Sequence, residues 1–431
     1  MVLRLSGPVS RAAILLVAAI AAFALSYFGI RNALATHAAG LDTLAGYERA
    51  VSLEPNNARN WYLLGHYWQY NIENPDPQRA IGYYQRSLTL NPHSADAWLD
   101  LASAYDGEAQ TVEARKAFLS AKQAYPSSAD VAWRYGNFLL RQDSPAQAFQ
   151  EIHFAIVEDP RRAAEGFSRC WRVEPDAQKI LDRVIPPSKD AYVAILRDLA
   201  ASRQIDPALD VWKRLVSLHP QLSPGEVRGF TNLLLHEGRL SDIQQVWQQA
   251  VAMMPNPPPP DPPGSVIWDG GFESGLVGDG LAWQFPKERS GVLANLDRSQ
   301  KHDGNQSLRL LFSGKENVNY TDACHFAIVE PGVSYRLSGW VQTRGLDTNE
   351  GIRLRLSFGG KTGISTVETP DVHGSEPWTK LSLLWTAPRN PGLVNVCVVR
   401  HAGSNLEENV QGSAWVDDVS LVPVFAGTAK P

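Results

Sequence analysis

Four prolines, Pro55, Pro92, Pro126 and Pro160, stand 37, 34 and 34 residues apart. A recurrence near 34 residues is the length of two short helices with their turns, and it confines a chain to a stack of helical hairpins. Other positions keep step with the prolines. Trp61 and Trp98 each fall six residues after one. Tyr47, Tyr84, Phe118 and Ile152 each lie eight residues before the next, and Ala80, Ala114 and Ala148 lie four residues before those large side chains. Small residues let the two helices of a hairpin approach, and large ones fill the gap to the next hairpin. Proline ends the second helix because it lacks an N–H and its ring clashes with the preceding turn.

The segments "WYLLGHYW", "WLDLASAY" and "AWRYGNFL" repeat this register, and together the positions resemble the tetratricopeptide repeat. Three repeats are clear from Asn56 to Pro160. The following stretch, "RRAAEGFSRCWRVEPDAQKI", fits no repeat, but Trp212 and Trp247 again precede a proline by eight residues. One solenoid with an irregular middle is expected over residues 38–254. The resemblance implies a concave surface offered to a protein partner. Tyr67, Trp68, Tyr70, Tyr83 and Tyr84 make the first repeats aromatic and read mostly as inter-repeat core. His66, His93 and His153 are isolated and form no catalytic set.

Residues 1–37 read as a membrane anchor and juxtamembrane segment. Ala12 to Ile30 carries no charge, enough for one membrane-spanning helix of ~20 residues. Arg4 and Arg11 precede it and Arg31 follows. The expected topology is a single pass through the inner (cytoplasmic) membrane, with the N-terminus inside and the rest periplasmic or extracellular. A secreted protein with a cleaved signal peptide, cut near Ala33 to Ala35, is the alternative. The net charge of −5 gives no basic stripe for nucleic acid.

"PNPPPPDPPG", residues 255–264, interrupts any helix or strand. Its proline density predicts a polyproline II linker holding the two halves roughly 25–30 Å apart. Beyond it, residues 265–425 change texture, leaving a short tail at 426–431. Seven or eight short runs of β-formers separated by turn clusters predict an antiparallel sandwich. In "SYRLSGWVQT", Arg336, Ser338, Trp340 and Gln342 oppose the apolar set; in "IRLRLSF", Arg353, Arg355 and Ser357 do. That alternation places Trp340, Arg336, Gln342, Arg353 and Arg355 on one outward surface. A flat ring beside planar polar groups suits a sugar, and these five are the candidate carbohydrate-binding residues; a merely solvated face is the other reading. Cys324 and Cys397 lie in two strand-like runs and could pair in an exported chain, or remain two buried thiols.

"WDGGFESG" from Trp268, "LAWQF", "HDGNQSLRL", "EPGVSYRLSGWV", "EPWTKLSLLWTAP" and "AWVDDVSLV" follow one another in an order that resembles carbohydrate-binding modules attached to cellulases and xylanases, which are galactose-binding-like jelly rolls. The resemblance implies a glycan ligand. It also implies that Glu273 and Asp417 hold a structural calcium; backbone or arginine donors are the alternative for the same carboxylates. Alternation along "AWVDDVSLV" puts Trp415, Asp417, Val419 and Leu421 on the apolar face, Asp417 inward and Asp418 in water. No GxSxG, HExxH, phosphate loop or ExDxxE pair occurs, and no enzyme is expected. The expected architecture is therefore multidomain: a transmembrane helix, an all-α solenoid, then an all-β jelly-roll sandwich. The function expected is an anchored exported scaffold, its repeats binding a protein and its sandwich a cell-envelope or exported polysaccharide. A secretion or export assembly factor with a structural sandwich is the alternative, and a divergent hydrolase is a more distant one.

Overall fold

The computed structural model describes residues 8–258, 261–275, 278, 280–289, 291–360, 363–389, 392–404 and 409–424. The expected tail and residues 259–260 of the proline segment lie outside the described residues. Fourteen α-helices precede ten strands among those described, in two compact units, Met1–Pro186 and Pro187–Pro431.

In the first unit, α1 (Pro8–Ala39) is a single helix, long and apolar enough over Arg11–Ala39 to cross a membrane. Its last turns pack on α2 (Leu44–Leu53): Ala35 and Ala38 are buried, and a β-carbon at Gly46 would meet the Ala38 carbonyl oxygen at 2.4 Å. Thr43 caps α2 by accepting the Gly46 N–H. The hairpins α3 (Ala58–Tyr70) with α4 (Pro77–Leu90), α5 (Ala95–Gly107) with α6 (Thr111–Ala124), and α7 (Ala129–Arg141) with α8 (Pro145–Glu158) follow. The positions that recur in the sequence are the hairpin contacts. A β-carbon at Gly65 would lie 2.8 Å from the Tyr84 ring, and one at Gly136 would lie 2.7 Å from Ile152. Side chains of Asn57, Asp76, Ser94 and Ser128 cap their helices. Of the five aromatic residues, Trp68 and Tyr84 are core, Tyr67 and Tyr83 are half-buried, and Tyr70 is exposed. The irregular stretch forms α9 (Ala163–Val173) and the short α10 (Ala177–Arg183).

The second unit begins with two more hairpins, α11 (Lys189–Ala201) with α12 (Ile205–Ser217), and α13 (Arg228–His236) with α14 (Leu240–Ala252). Its strands are β1 (Glu288–Arg289), β2 (Val292–Asp297), β3 (Ser307–Ser313), β4 (Tyr320–Val329), β5 (Ser334–Arg344), β6 (Arg353–Gly360), β7 (Gly363–Glu368), β8 (Thr379–Thr386), β9 (Gly392–Arg400) and β10 (Gln411–Pro423). They form a six-stranded sheet in the order β1-β2-β3-β10-β5-β8 and a four-stranded sheet in the order β4-β9-β6-β7, all antiparallel. Leu308, Leu310, Leu337, Leu354, Val396 and Val416 are among the side chains filling the space between the sheets.

Three expectations are corrected. The outward residues of β5 and β6 do not share a surface, because β5 belongs to the six-stranded sheet and β6 to the four-stranded one. Two-residue alternation says which side of a strand a residue takes, but not which sheet the strand joins. The second correction is in β10. A bulge lies between Asp417 and Ser420, with Asp418 at φ +49°. Ala414, Val416, Val419 and Leu421 face the core, while Trp415 and Asp417 pair with Gln342 and Trp340 on the other side. One extra residue reverses the face of everything beyond it.

The third correction is the spacer. Asp261 of the proline segment accepts the N–H groups of Asp269 and Gly270, both at 2.8 Å. Trp247 of α14 meets Trp268 edge to face with ring centroids 5.2 Å apart, and the Gly280 N–H donates to Asn232 of α13 at 3.0 Å. The last helical hairpin lies directly on the sandwich. A stiff local conformation does not keep its flanks apart when they can bury two indoles against each other.

Candidate functional site

The sandwich presents two outer faces of opposite character. On the six-stranded sheet the surface is filled by the protein's own side chains. Trp340 carries the His302 ring stacked on it, centroids 4.0 Å apart and planes at 16°, and Trp378 meets the same imidazole edge-on at 5.7 Å. Lys380 lies 5.7 Å from the Trp340 ring centre. Trp415 is buried between the Arg309 and Arg344 guanidinium groups and donates its indole N–H to Asp297 at 2.8 Å. Arg336 is exposed further along β5, and the Gln342 side-chain oxygen is buried without a partner.

The four-stranded sheet differs. Strand pairing sets Glu368, Arg355, Cys397 and Cys324 in one row, and Thr366, Ser357, Asn395 and Phe326 in the next. Gln284 extends the first row by bridging Cys324. The Cys324 and Cys397 sulfurs are joined across the sheet. Arg353 is neutralised by Glu350, Glu368 and Asp371, and His401 also holds Glu368, at 2.9 Å. Arg355, by contrast, makes no hydrogen bond or ion pair among the described residues, and its Nε is buried without a partner. The Asn395 side-chain oxygen is likewise buried and unpartnered. Unspent hydrogen-bonding groups on a sheet surface cost stability unless something completes them. Phe326, half-buried, supplies a ring in the row beside them.

A cluster of carboxylates lies where the first and last segments of the sandwich meet. Glu273 accepts the N–H groups of Asn305 at 2.7 Å and Gln306 at 3.1 Å, and the Asn305 amide at 3.1 Å. Asp417 is buried and accepts the N–H groups of His302 and Asp418 at 2.8 and 2.9 Å. Asp418, expected in water, instead binds the His302 ring at 2.5 Å. Burial pushes the Asp417 carboxyl up to about 7, the Asp418 charge adding to it, and burial lifts Asp269 to about 6. A β-carbon at Gly271 would sit 3.8 Å from an Asp417 oxygen and 3.7 Å from both an Asp418 oxygen and the Glu273 γ-carbon. Hard carboxylate oxygens gathered around Gly271 fit calcium in kind. Among the described residues no three His, Cys, Asp or Glu side chains converge as a ready set, so calcium here would also need main-chain oxygens.

In the repeats, a polar network ties three successive first helices together. Asp100 of α5, largely buried, accepts the Tyr62 hydroxyl of α3 at 2.9 Å and the Arg134 guanidinium of α7 at 2.9 Å. Arg169 of α9 continues the line to Asn137 at 2.8 Å. Burial beside Asp100 pushes the Tyr62 hydroxyl far above the usual phenol range, so it stays a donor.

Residues 72–132 match the family model described as tetratricopeptide repeat. The chain is 26% identical over 164 residues to tetratricopeptide repeat protein 37 of Xenopus laevis, a match covering 37% of this chain and 9% of that protein's own length. Among solved structures, YrrB, a tetratricopeptide-repeat protein with an unusual peptide-binding site, aligns at 14% identity over 50% of this chain and 95% of its own, with a TM-score of 0.27. A family 16 carbohydrate-binding module aligns at 15% identity over 36% of this chain and 99% of its own, with a TM-score of 0.26.

Proposed function

We propose that this chain is a membrane-anchored, exported, non-catalytic scaffold whose repeats hold a protein partner and whose sandwich holds a polysaccharide. The glycan lies across the outer face of the four-stranded sheet. The observation that carries this reading is the pair of adjacent unspent groups there, the unpaired Arg355 guanidinium and the Asn395 side-chain oxygen, beside the Phe326 ring. A guanidinium without a carboxylate of its own suits a sugar acid, and the neighbouring amide suits ring hydroxyls. The six-stranded face is a poorer platform, because His302 already occupies the Trp340 ring.

Anchoring rests on α1. Removal of the chain up to Ala35 would take away the buried Ala35 and the Arg31 side chain that hydrogen-bonds the Leu53 carbonyl at the end of α2. The apolar span and the first repeat share one helix, which supports retention over cleavage. Calcium, where bound, neutralises the carboxylates around Gly271; Glu273 and Asp417 would hold it and tie the sandwich's two ends together.

The test is retention of the detergent-solubilised full chain on immobilised polygalacturonate and on neutral polysaccharides. Arg355→Ala is expected to weaken acidic-glycan binding by about tenfold or more, the effect of one charge-assisted contact. Equal binding by the variant would remove the sheet face from the reading.

A further inference from the structure

We propose a second saccharide pocket, formed jointly by α14 and the sandwich, that takes a single neutral sugar residue. It rests on the reading that the sandwich is a glycan-binding module, but uses none of the residues of the four-stranded face assigned above. A cavity of about 330 Å³ opens beside the Trp247–Trp268 contact, lined also by Gln244, Gln248, Asp261 and Ile328. That volume lies at the small end of ligand sites.

The chemistry of the wall selects the ligand. Trp268 is half-buried, and its main-chain N–H is held by His325 Nε2 at 3.2 Å, which fixes the backbone from which the ring projects. Trp247, buried, packs edge to face with it at 87°, so it backs the pocket while Trp268 supplies the accessible indole. Gln244 and Gln248 are one helical turn apart on α14, both exposed, and neither amide makes a hydrogen bond among the described residues. Each offers a donor and an acceptor side by side, which is what adjacent sugar hydroxyls need. Among the described residues no lysine, arginine or histidine lines the cavity, so these walls do not recruit phosphates or sugar acids. The carboxylate among the described lining residues, Asp261, already accepts two main-chain N–H groups. A half-exposed indole backed by a second one, with two free carboxamides and no cation among the described residues, fits the apolar C–H face and hydroxyl rim of a neutral pyranose. The site is incomplete in the sandwich alone, because both glutamines and one of the indoles belong to α14.

The experiment uses the full chain in detergent with cellobiose, maltose and chitobiose as probes, followed by saturation-transfer NMR and calorimetry. One of these disaccharides is expected to bind the wild type. Gln244→Ala/Gln248→Ala should weaken it about tenfold, the loss of two ordinary hydrogen bonds, with the melting temperature unchanged because both side chains are exposed. Trp268→Phe should keep part of the affinity, and Trp268→Ala should abolish it. Polygalacturonate binding by the double glutamine variant should match the wild type. Disaccharide binding that persists undiminished in the double variant overturns the pocket while leaving the four-stranded face intact. A wild type that binds none of the three, or that binds choline in their place through a cation–π contact, also overturns it. If polygalacturonate is not bound either, the glycan reading itself falls.

Discussion

Asp417 shows how one residue's position and its chemistry can part company. Alternation predicts this carboxylate buried on the apolar face; it is buried, but on the opposite side of the strand, where main-chain N–H groups meet it. Its face is not legible in the sequence, because the bulge that follows depends on Asp418 taking φ +49°, which no two-residue pattern announces. With a folded pKa near 7, against ~3.9 in an unfolded chain, the pH dependence follows. Between about pH 4 and 7 the unfolded chain has given up this proton while the folded chain keeps it. Stability from this group therefore falls as pH rises, by up to about 4 kcal/mol above pH 7. Thermal melts in chelator should drop between pH 5 and pH 8, and added calcium should shrink the drop; identical curves with and without calcium would place the carboxylate on protein donors alone. Trp340 makes a second prediction. Under its imidazole stack it is a structural side chain, so Trp340→Ala should cost about 2 kcal/mol in denaturant melts and leave polysaccharide binding in place. Lost binding at full stability would return the site to the six-stranded face.

Elements were read from the sequence best where the pattern was local. The proline and tyrosine register located the hairpins because those residues are the contacts, as Gly65 against Tyr84 demonstrates. Strands β3 to β6 and β8 to β10 match apolar runs, whereas β1, β2 and β7 are short or weakly apolar and carry no clear sequence signal. Alternation does not specify the sheet to which each strand belongs, so it puts Trp340 and Arg355 on one surface that the two sheets in fact divide. Gly46→Val should pry α2 from α1, since its first side-chain carbon already meets the Ala38 carbonyl, and protease nicking near residue 40 should rise. Cys324→Ser/Cys397→Ser opens a covalent loop between residues 73 apart and should lower unfolding stability by about 2–5 kcal/mol, read by denaturant titration.

At the scale of the whole molecule, the order of parts was legible: apolar helix, repeats, proline segment, sandwich. The association of α13 and α14 with the sandwich was not, because the proline run reads as a separator and the Trp247–Trp268 contact joins residues from either side of it. The same tertiary pairing creates a cavity that neither part has alone. In the proposed function one chain would join a membrane, a protein partner and a glycan, and the glycan step is the link open to direct measurement. The decisive measurement is the dissociation constant of the full chain for polygalacturonate, compared between wild type, Arg355→Ala and Trp340→Ala. The account predicts that Arg355→Ala raises it about tenfold or more and Trp340→Ala leaves it within about twofold. A wild type that binds no polysaccharide, or an Arg355→Ala chain that binds as tightly as the wild type, would contradict it.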